Sequence, residues 1–189
     1  MRVVRNLHAP QQVVDRLERA HGRFRLLAVT QHVLGDHARP GTGDEAADRS
    51  LDALEQINAS TPLAQRRIGF VGLENATPEI LARIKKLAGG IIVHVGLVLT
   101  GERYTEQFGL DKAPRAPPLR TVVDSGIPLG VGTNAFQSGK FSPMLSLWWL
   151  ITGKTVAGSA LRAPSVNLTR PEALRAHTIG NAWFTFEEG

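Results

Sequence analysis

Hydrophobic and polar residues follow two alternating patterns along this chain. Continuous apolar runs of strand length lie at 24–30, 68–73, 91–95 and 128–131. Such runs are typical of strands that are buried on both faces of a sheet. In the segments between them, apolar residues recur every three or four positions, which is the spacing of an amphipathic helix. The pattern therefore predicts strands and helices in alternation.

Sequence signals for helix starts support this reading. Two Thr-x-x-Glu segments, 42–45 and 169–172, have the spacing of a capping box, in which each side chain binds a free amide of the first turn. Thr77 followed by Pro78 predicts another start, because proline suits the first helical position. By contrast, 96–117 is predicted to be a long irregular loop with one helical turn. Further helices are predicted at 10–20, 118–124 and 142–152.

Alternation of strands and helices predicts an α/β fold with a parallel sheet and helices outside it. Four strands are predicted in the 189 residues, and no internal repeat is visible. A chain of this length can bury a sizeable core. We expect one domain, spanning 1–189.

Composition narrows the class of protein. Hydrophobic residues make up 42% of the chain, charged residues make up 21%, and there is no cysteine, which excludes disulfides and thiolate chemistry. The net charge of +5 comes from scattered arginines without interleaved aromatic residues, so we expect no nucleic-acid partner. No apolar run approaches the length of a membrane span, so no membrane partner is expected either. A cytoplasmic location is predicted.

Asn134 is the first candidate for chemistry. It follows the apolar run 128–131 after Gly132 and Thr133. Ligands in parallel α/β folds sit beyond the carboxyl ends of the strands, where Asn134 is expected. Asparagine is also a common turn residue, and the residues alone leave both interpretations open.

Four segments resemble the metal-dependent amidohydrolase superfamily, in the branch called amidohydrolase family 3. They are QHVLGD at 31–36, DSGIPLGVGTN at 124–134, LWWLITGKTVAG at 147–158 and LTRPEALRAHTIGNAWFTFEEG at 168–189. The resemblance implies a (β/α)₈ barrel, of which this chain contains a part. Such a barrel takes about 250 residues, and the predicted strands match its fifth to eighth strands.

The resemblance also implies a chemistry. Members of the family bind one or two divalent metals, usually zinc, and hydrolyse carbon–nitrogen bonds other than peptides in small amide-type substrates. The metal activates a water molecule, and an aspartate on the eighth strand takes up its proton. Within this resemblance, His32 matches the metal ligand of the fifth strand. Gly72 stands at the histidine position of the sixth strand, and Asn134 stands at the aspartate position.

These substitutions predict that the chain by itself is inactive and that its zinc binding is weak or absent. Glycine offers no side-chain ligand, and an amide does not accept a proton as a carboxylate does. The alternative hypothesis is a non-catalytic binding or interaction module derived from the barrel. Glu74 fits the family pattern. His94 is either a residue of the same mouth of the barrel or a core histidine, and we favour the core histidine.

The prediction of a partial barrel also affects which protein partners we expect. If four strands form the sheet, the outer edges of 24–30 and 128–131 lack neighbours. Unpaired strand edges favour pairing with another chain. We therefore expect either a homodimer, in which two copies close eight strands, or a missing N-terminal half, in which case the chain is a truncated form of the barrel.

Overall fold

Parallel strands in chain order form the sheet of this protein. The structure is a computed structural model that describes residues 2–5, 27–30, 42–133 and 142–189. Neighbours in the sheet are also neighbours in the chain, and every pair is parallel. This arrangement confirms the predicted fold class. The five strands are β1 (Arg2–Arg5), β2 (Leu27–Thr30), β3 (Gly69–Val71), β4 (Gly90–His94) and β5 (Leu129–Gly132).

Strand β1 was not predicted from the sequence. Its four residues, RVVR, are too few and too charged to stand out as an apolar run. Because β1 pairs with β2 along Arg2–Arg5, the edge at 24–30 that was expected to be open has neighbours on both sides in the part that is described. The predicted helix at 10–20 lies outside the described residues.

Seven α-helices accompany the strands in the described ranges. Thr77 begins α2 as predicted, because its hydroxyl accepts a hydrogen bond from the Ile80 amide at 3.4 Å. The capping box of Thr169 and Glu172 at the start of α6 is also confirmed. The helices are α1 (Thr42–Ser60), α2 (Pro78–Lys86), α3 (Leu97–Lys112), α4 (Leu119–Asp124), α5 (Pro143–Thr152), α6 (Arg170–His177) and α7 (Ile179–Thr185).

Helix α3 corrects the prediction of an irregular loop at 96–117. Its glycines weaken the sequence signal for a helix, but one of them has a packing role. A Cβ at Gly101 would lie 2.5 Å from Thr155 Cγ2, so only glycine lets α3 approach that segment. Gly109, with φ of 77°, interrupts the helix. Tertiary packing therefore outweighs local propensity here.

One face of the sheet forms the main hydrophobic core with the helices. Phe70, Ile91, Val93, Leu129 and Val131 lie on this face and are all buried. Burial of each such side chain contributes roughly 1.5–3 kcal/mol. Ion pairs also link helix α1 to α2 and helix α4 to α6. None of the described helices is long and apolar enough to cross a membrane.

The opposite face of the sheet is covered at its amino-terminal end by aromatic residues of α7, chiefly Phe184. A Cβ on Gly90 or Gly130 would lie 2.7–2.8 Å from atoms of Phe184 or of its neighbours in α7, and a Cβ on Gly69 would lie 3.3 Å from the Phe184 ring. These glycines therefore make room for Phe184, which is buried. This face, the inner face of the partial barrel, is thus covered at this end of the sheet.

The buried side chain of Arg162 binds carbonyl groups at the C-terminal end of helix α5. Arg162 is 2% exposed, and its guanidinium donates to the carbonyl of Trp149 at 2.5 Å and to that of Leu150 at 3.3 Å. It also lies over the Trp149 ring. Burial lowers the pKa of Arg162 to about 9, so the side chain still carries its charge at neutral pH. Carbonyls at a helix C-terminus are a favourable environment for that charge.

Candidate functional site

The carboxyl ends of β3, β4 and β5 meet at one edge of the sheet. Gly72 follows β3, His94 ends β4, and Thr133 follows β5. Because the strands are parallel and in register, the residues at these positions lie at the same end of the sheet. This is the end at which α/β proteins place their ligands.

Of the three site residues predicted from the sequence, the structure describes Gly72. It has φ of 82°, in the left-handed region that favours glycine. His32 and Asn134 lie outside the described residues, so their positions relative to Gly72 stay predictions. The structure therefore places a residue without a side chain at one of the expected ligand positions.

The structure brings Glu74 and His94 together at this edge. Oε1 of Glu74 lies 3.5 Å from Nε2 of His94, and the two side chains are 11% and 21% exposed. Glu74 belongs to the loop after β3, and His94 is the last residue of β4. His94 is therefore a residue of the ligand end of the sheet, rather than the core histidine that the sequence favoured.

The backbone beside His94 indicates which ring nitrogen carries the hydrogen. Nδ1 of His94 accepts a hydrogen bond from the Gly96 amide at 3.4 Å. A neutral imidazole that accepts at one nitrogen carries its hydrogen on the other. In this tautomer the hydrogen is on Nε2, the nitrogen that lies 3.5 Å from Oε1 of Glu74.

Neighbouring residues hold the loop of Glu74 in place. The hydroxyl of Tyr104, on α3, donates to the side chain of Asn75, and Thr77 caps α2 directly afterwards. The second carboxylate oxygen of Glu74, Oε2, is buried and has no hydrogen-bond partner among the described residues. An acceptor in that state is costly unless it is satisfied.

An apolar cleft lies next to Glu74. It holds about 10 Å³ of water-accessible space, which is about the space of one water molecule. Its walls come from the ends of β3 and β4 and from the start of α4. The lining residues include Leu73, Glu74, Ile92, Pro118 and Leu119.

The described residues of this edge do not fit a metal ion. No group of three or more His, Cys, Asp and Glu side chains that could hold a metal occurs in the described part of the chain. Gly72 has no side chain to offer. His94 presents a hydrogen rather than a lone pair at Nε2, because its Nδ1 accepts from Gly96. Glu74 alone is too few ligands for a zinc site, which normally has three or four from the protein.

Sequence reasoning missed the pairing of Glu74 with His94. Each residue was visible by itself, one after a strand and the other at a strand end. Their contact depends on the register of β3 and β4, in which Gly69 faces Gly90. An apolar run carries no signal for that register. The useful signal was positional, because both residues lie at carboxyl ends of consecutive parallel strands.

Two solved structures share this architecture. One is an uncharacterized metal-dependent hydrolase from Pyrococcus furiosus, which is 22% identical, with a TM-score of 0.70 over 97% of this chain and 34% of that one. The other is an uncharacterized metal-dependent hydrolase from Pyrococcus horikoshii OT3, which is 16% identical, with a TM-score of 0.70 over 96% of this chain and 34% of that one. The chain thus spans about a third of their length. At these identities the likeness shows the fold.

Family membership rests on the sequence rather than on those structures. No curated protein gives a significant match to the chain. A model of the amidohydrolase family matches residues 36–189, which cover most of the chain and include all the elements from α1 to α7. This match agrees with the resemblance in the segments from 124 to 189. The chain therefore belongs to the amidohydrolase family.

Proposed function

We propose that this chain is part of a metal-dependent hydrolase that acts on carbon–nitrogen bonds other than peptides, and that it does not catalyse this reaction by itself. The observation that carries the second half of the proposal is Gly72. It stands at a ligand position of the family, and its φ of 82° belongs to glycine rather than to histidine. The family membership and the two metal-dependent hydrolases of the same fold support the first half.

The number of strands supports an incomplete barrel. The described sheet has five strands, and a (β/α)₈ barrel has eight. Two copies of this chain would bring ten strands, so a homodimer does not restore the barrel. Three further strands on the outer side of β1 would restore it. We therefore propose that a missing N-terminal part, rather than a second copy, completes the single domain to which 1–189 belong.

Two further positions support the lack of activity. Asn134 stands where the family has a proton-accepting aspartate, and an amide does not take up the proton of an attacking water as a carboxylate does. Strand β1 would correspond to the fourth strand of the barrel. Its sequence, RVVR, has no histidine, lysine or acid that could serve as a metal ligand. We propose that zinc binding by the chain alone is correspondingly weak.

The second candidate function is a non-catalytic binding module. Glu74 favours it, because one carboxylate oxygen lies 3.5 Å from His94 while the other is buried without a partner among the described residues. An acceptor oxygen in this state suits an N–H group of a small ligand bound at this edge of the sheet. The same residues would serve recognition in either function. We place the chain in the cytoplasm, in agreement with its lack of cysteine.

The hydrolase proposal is tested with the purified chain, zinc and a panel of small non-peptide amides. We expect no turnover above the uncatalysed rate, with or without added zinc. A chelator is the control, because turnover that disappears on chelation would show that this chain holds a working metal centre. The binding proposal is tested separately, by chemical-shift changes on titration with small amides. Glu74→Gln should weaken them, and Glu79→Gln, an exposed glutamate close in sequence, should leave them unchanged.

A further inference from the structure

A side chain occupies the outer edge of strand β5. The Val131 amide donates to Oδ1 of Asn181 at 2.9 Å, and Nδ2 of Asn181 donates to the Val131 carbonyl at 2.9 Å. In a parallel sheet, both groups of such an edge residue would bind a neighbouring strand. Asn181 therefore takes the place of that strand at Val131.

The backbone of helix α7 reaches the same edge at Gly180. A Cβ at Gly180 would lie 2.0 Å from the carbonyl oxygen of Leu129, a distance that no real structure tolerates. The absence of a side chain at Gly180 thus lets α7 lie directly against β5. With Asn181 at Val131, two consecutive residues of α7 cover two outward positions of the strand.

The rest of the C-terminal segment lies over the inner face of the sheet and is bound at its end by Arg67. Residues 179–188, which we term the C-terminal strap, place Phe184 over the glycines of the inner face. Arg67, just before β3, then binds the Trp183 carbonyl at 2.5 Å and pairs with Glu188 at 2.6 Å. Its guanidinium also lies 4.0 Å from the centre of the Phe186 ring. The strap runs from the edge of β5 to the start of β3.

We propose that the C-terminal strap is an intramolecular cap that keeps β5 from pairing with a second copy of this chain. No strand among the described residues pairs with the outer side of β1 or of β5. A β5 freed from the strap would therefore meet a complementary edge, β1, on another copy, and the two can pair in parallel. Detachment of the strap converts the monomer into a self-associating form. This inference concerns the chain by itself and does not depend on the proposed hydrolase function, because closing a full barrel would place a strand at the edge of β5 that the strap covers.

Gly180→Ala tests the cap with one added methyl group. Alanine is preferred to glycine inside a helix, so on local grounds the change favours α7. The cap predicts the opposite outcome, because the methyl group displaces α7 from Leu129. At a concentration too low for association, we expect the Val131 amide to exchange with solvent at least about tenfold faster. We also expect the average mass at micromolar concentration to rise to that of a dimer or larger.

Gly132→Ala is the matched control. Gly132 lies on the same strand, and a Cβ there meets no atom of the described residues within 4 Å. This variant should keep the mass and the Val131 exchange of the unaltered chain. If Gly180→Ala also keeps both, the strap is not a cap and the inference is wrong.

Two further measurements distinguish detachment of the strap from unfolding of the whole chain. Arg67→Gln releases the other end of the strap without adding bulk, and it should increase the mass while the circular dichroism of a folded chain is retained. In the unaltered chain, the Val131 amide should exchange slowly although no described strand pairs with that side of β5. A fast-exchanging Val131, or an unaltered chain already associated as fully as the variants, contradicts the proposal.

Discussion

Gly72 holds a backbone conformation that a histidine adopts only under strain. Its φ of 82° lies in the left-handed region, where a Cβ is crowded by the following carbonyl. A histidine, which the family resemblance leads us to expect at this position, is therefore not restored by a simple substitution. The loop that follows, with Asn75 bound by Tyr104, has its own fixed geometry around this glycine.

Gly72→His should lower stability without creating a zinc site. We expect a loss of about 1–2 kcal/mol from the strained φ, measured by thermal unfolding. Zinc affinity, measured by competition with a chromophoric chelator, should stay within about twofold of the unaltered chain, because at least three ligands are normally needed. Gly132→His is the control, since a Cβ at Gly132 meets none of the described atoms within 4 Å and its φ is not positive. Tight zinc binding by Gly72→His with unchanged stability would contradict our reading of this position.

The sequence located individual residues of the site better than it paired them. Gly72 was assigned to the end of a strand, and the structure places it there. His94 was interpreted as a core residue because IIVHV is an apolar run. The exposed 21% of its side chain and its contact with Glu74 come from the alignment of two strands, which a local pattern does not contain.

At the scale of elements, local chemistry decided which parts were predictable. The caps of α2 and α6 were visible in the sequence because Thr77, Thr169 and Glu172 act on amides within their own helices. Helix α3 was missed because its stability comes from outside it. Gly101 lowers helix propensity, yet it allows the contact with Thr155 that holds the helix in place.

An ion pair between α4 and α6 should make stability sensitive to acid. Arg120 binds Glu172 at 2.6 and 2.9 Å, and the hydrogen bonds from this guanidinium lower the pKa of Glu172 to about 2. Because the folded pKa lies below the ordinary value of 4.5, the stabilisation is present above about pH 4.5 and is lost as the pH falls towards 2.

Glu172→Gln isolates this charge, because glutamine keeps the hydrogen-bonding role in a capping box. At pH 7 we expect the variant to be less stable by about 1–2 kcal/mol, a value reduced for the partial exposure of the pair. Near pH 3 the difference from the unaltered chain should shrink, as followed by urea unfolding at each pH. Glu106→Gln, an exposed glutamate on α3, is the control and should change little at either pH. A difference that is independent of pH would assign the effect to packing rather than to charge.

At the scale of the whole molecule, the alternation of apolar runs was sufficient to predict a parallel sheet with outer helices. It was not sufficient to predict how an incomplete barrel closes its exposed surfaces. Strand β1 is short and charged, and the strap contacts β5 through Asn181, some 50 residues away along the chain. Contacts between positions so distant leave no periodic signal in either segment.

The strap makes Phe184 a central determinant of stability. Its ring lies on three strands at once, over Gly69, Gly90 and Gly130, and it is 3% exposed. Phe184→Ala would leave a cavity over the inner face of the sheet. Large-to-small changes of a buried phenylalanine cost about 3–5 kcal/mol, against a typical total of about 5–15 kcal/mol.

We therefore expect Phe184→Ala to lower the thermal midpoint severely or to abolish the cooperative transition. Leu174→Ala is the control, because Leu174 lies on the neighbouring helix α6 but is 55% exposed. Its change should stay within about 0.5 kcal/mol. Scanning calorimetry of both variants and the unaltered chain makes the comparison. Equal small shifts of the thermal midpoint for the two variants would mean that contacts other than the strap stabilise the inner face. A large loss of stability confined to Phe184→Ala would show that this one aromatic side chain fills the place of part of a barrel interior.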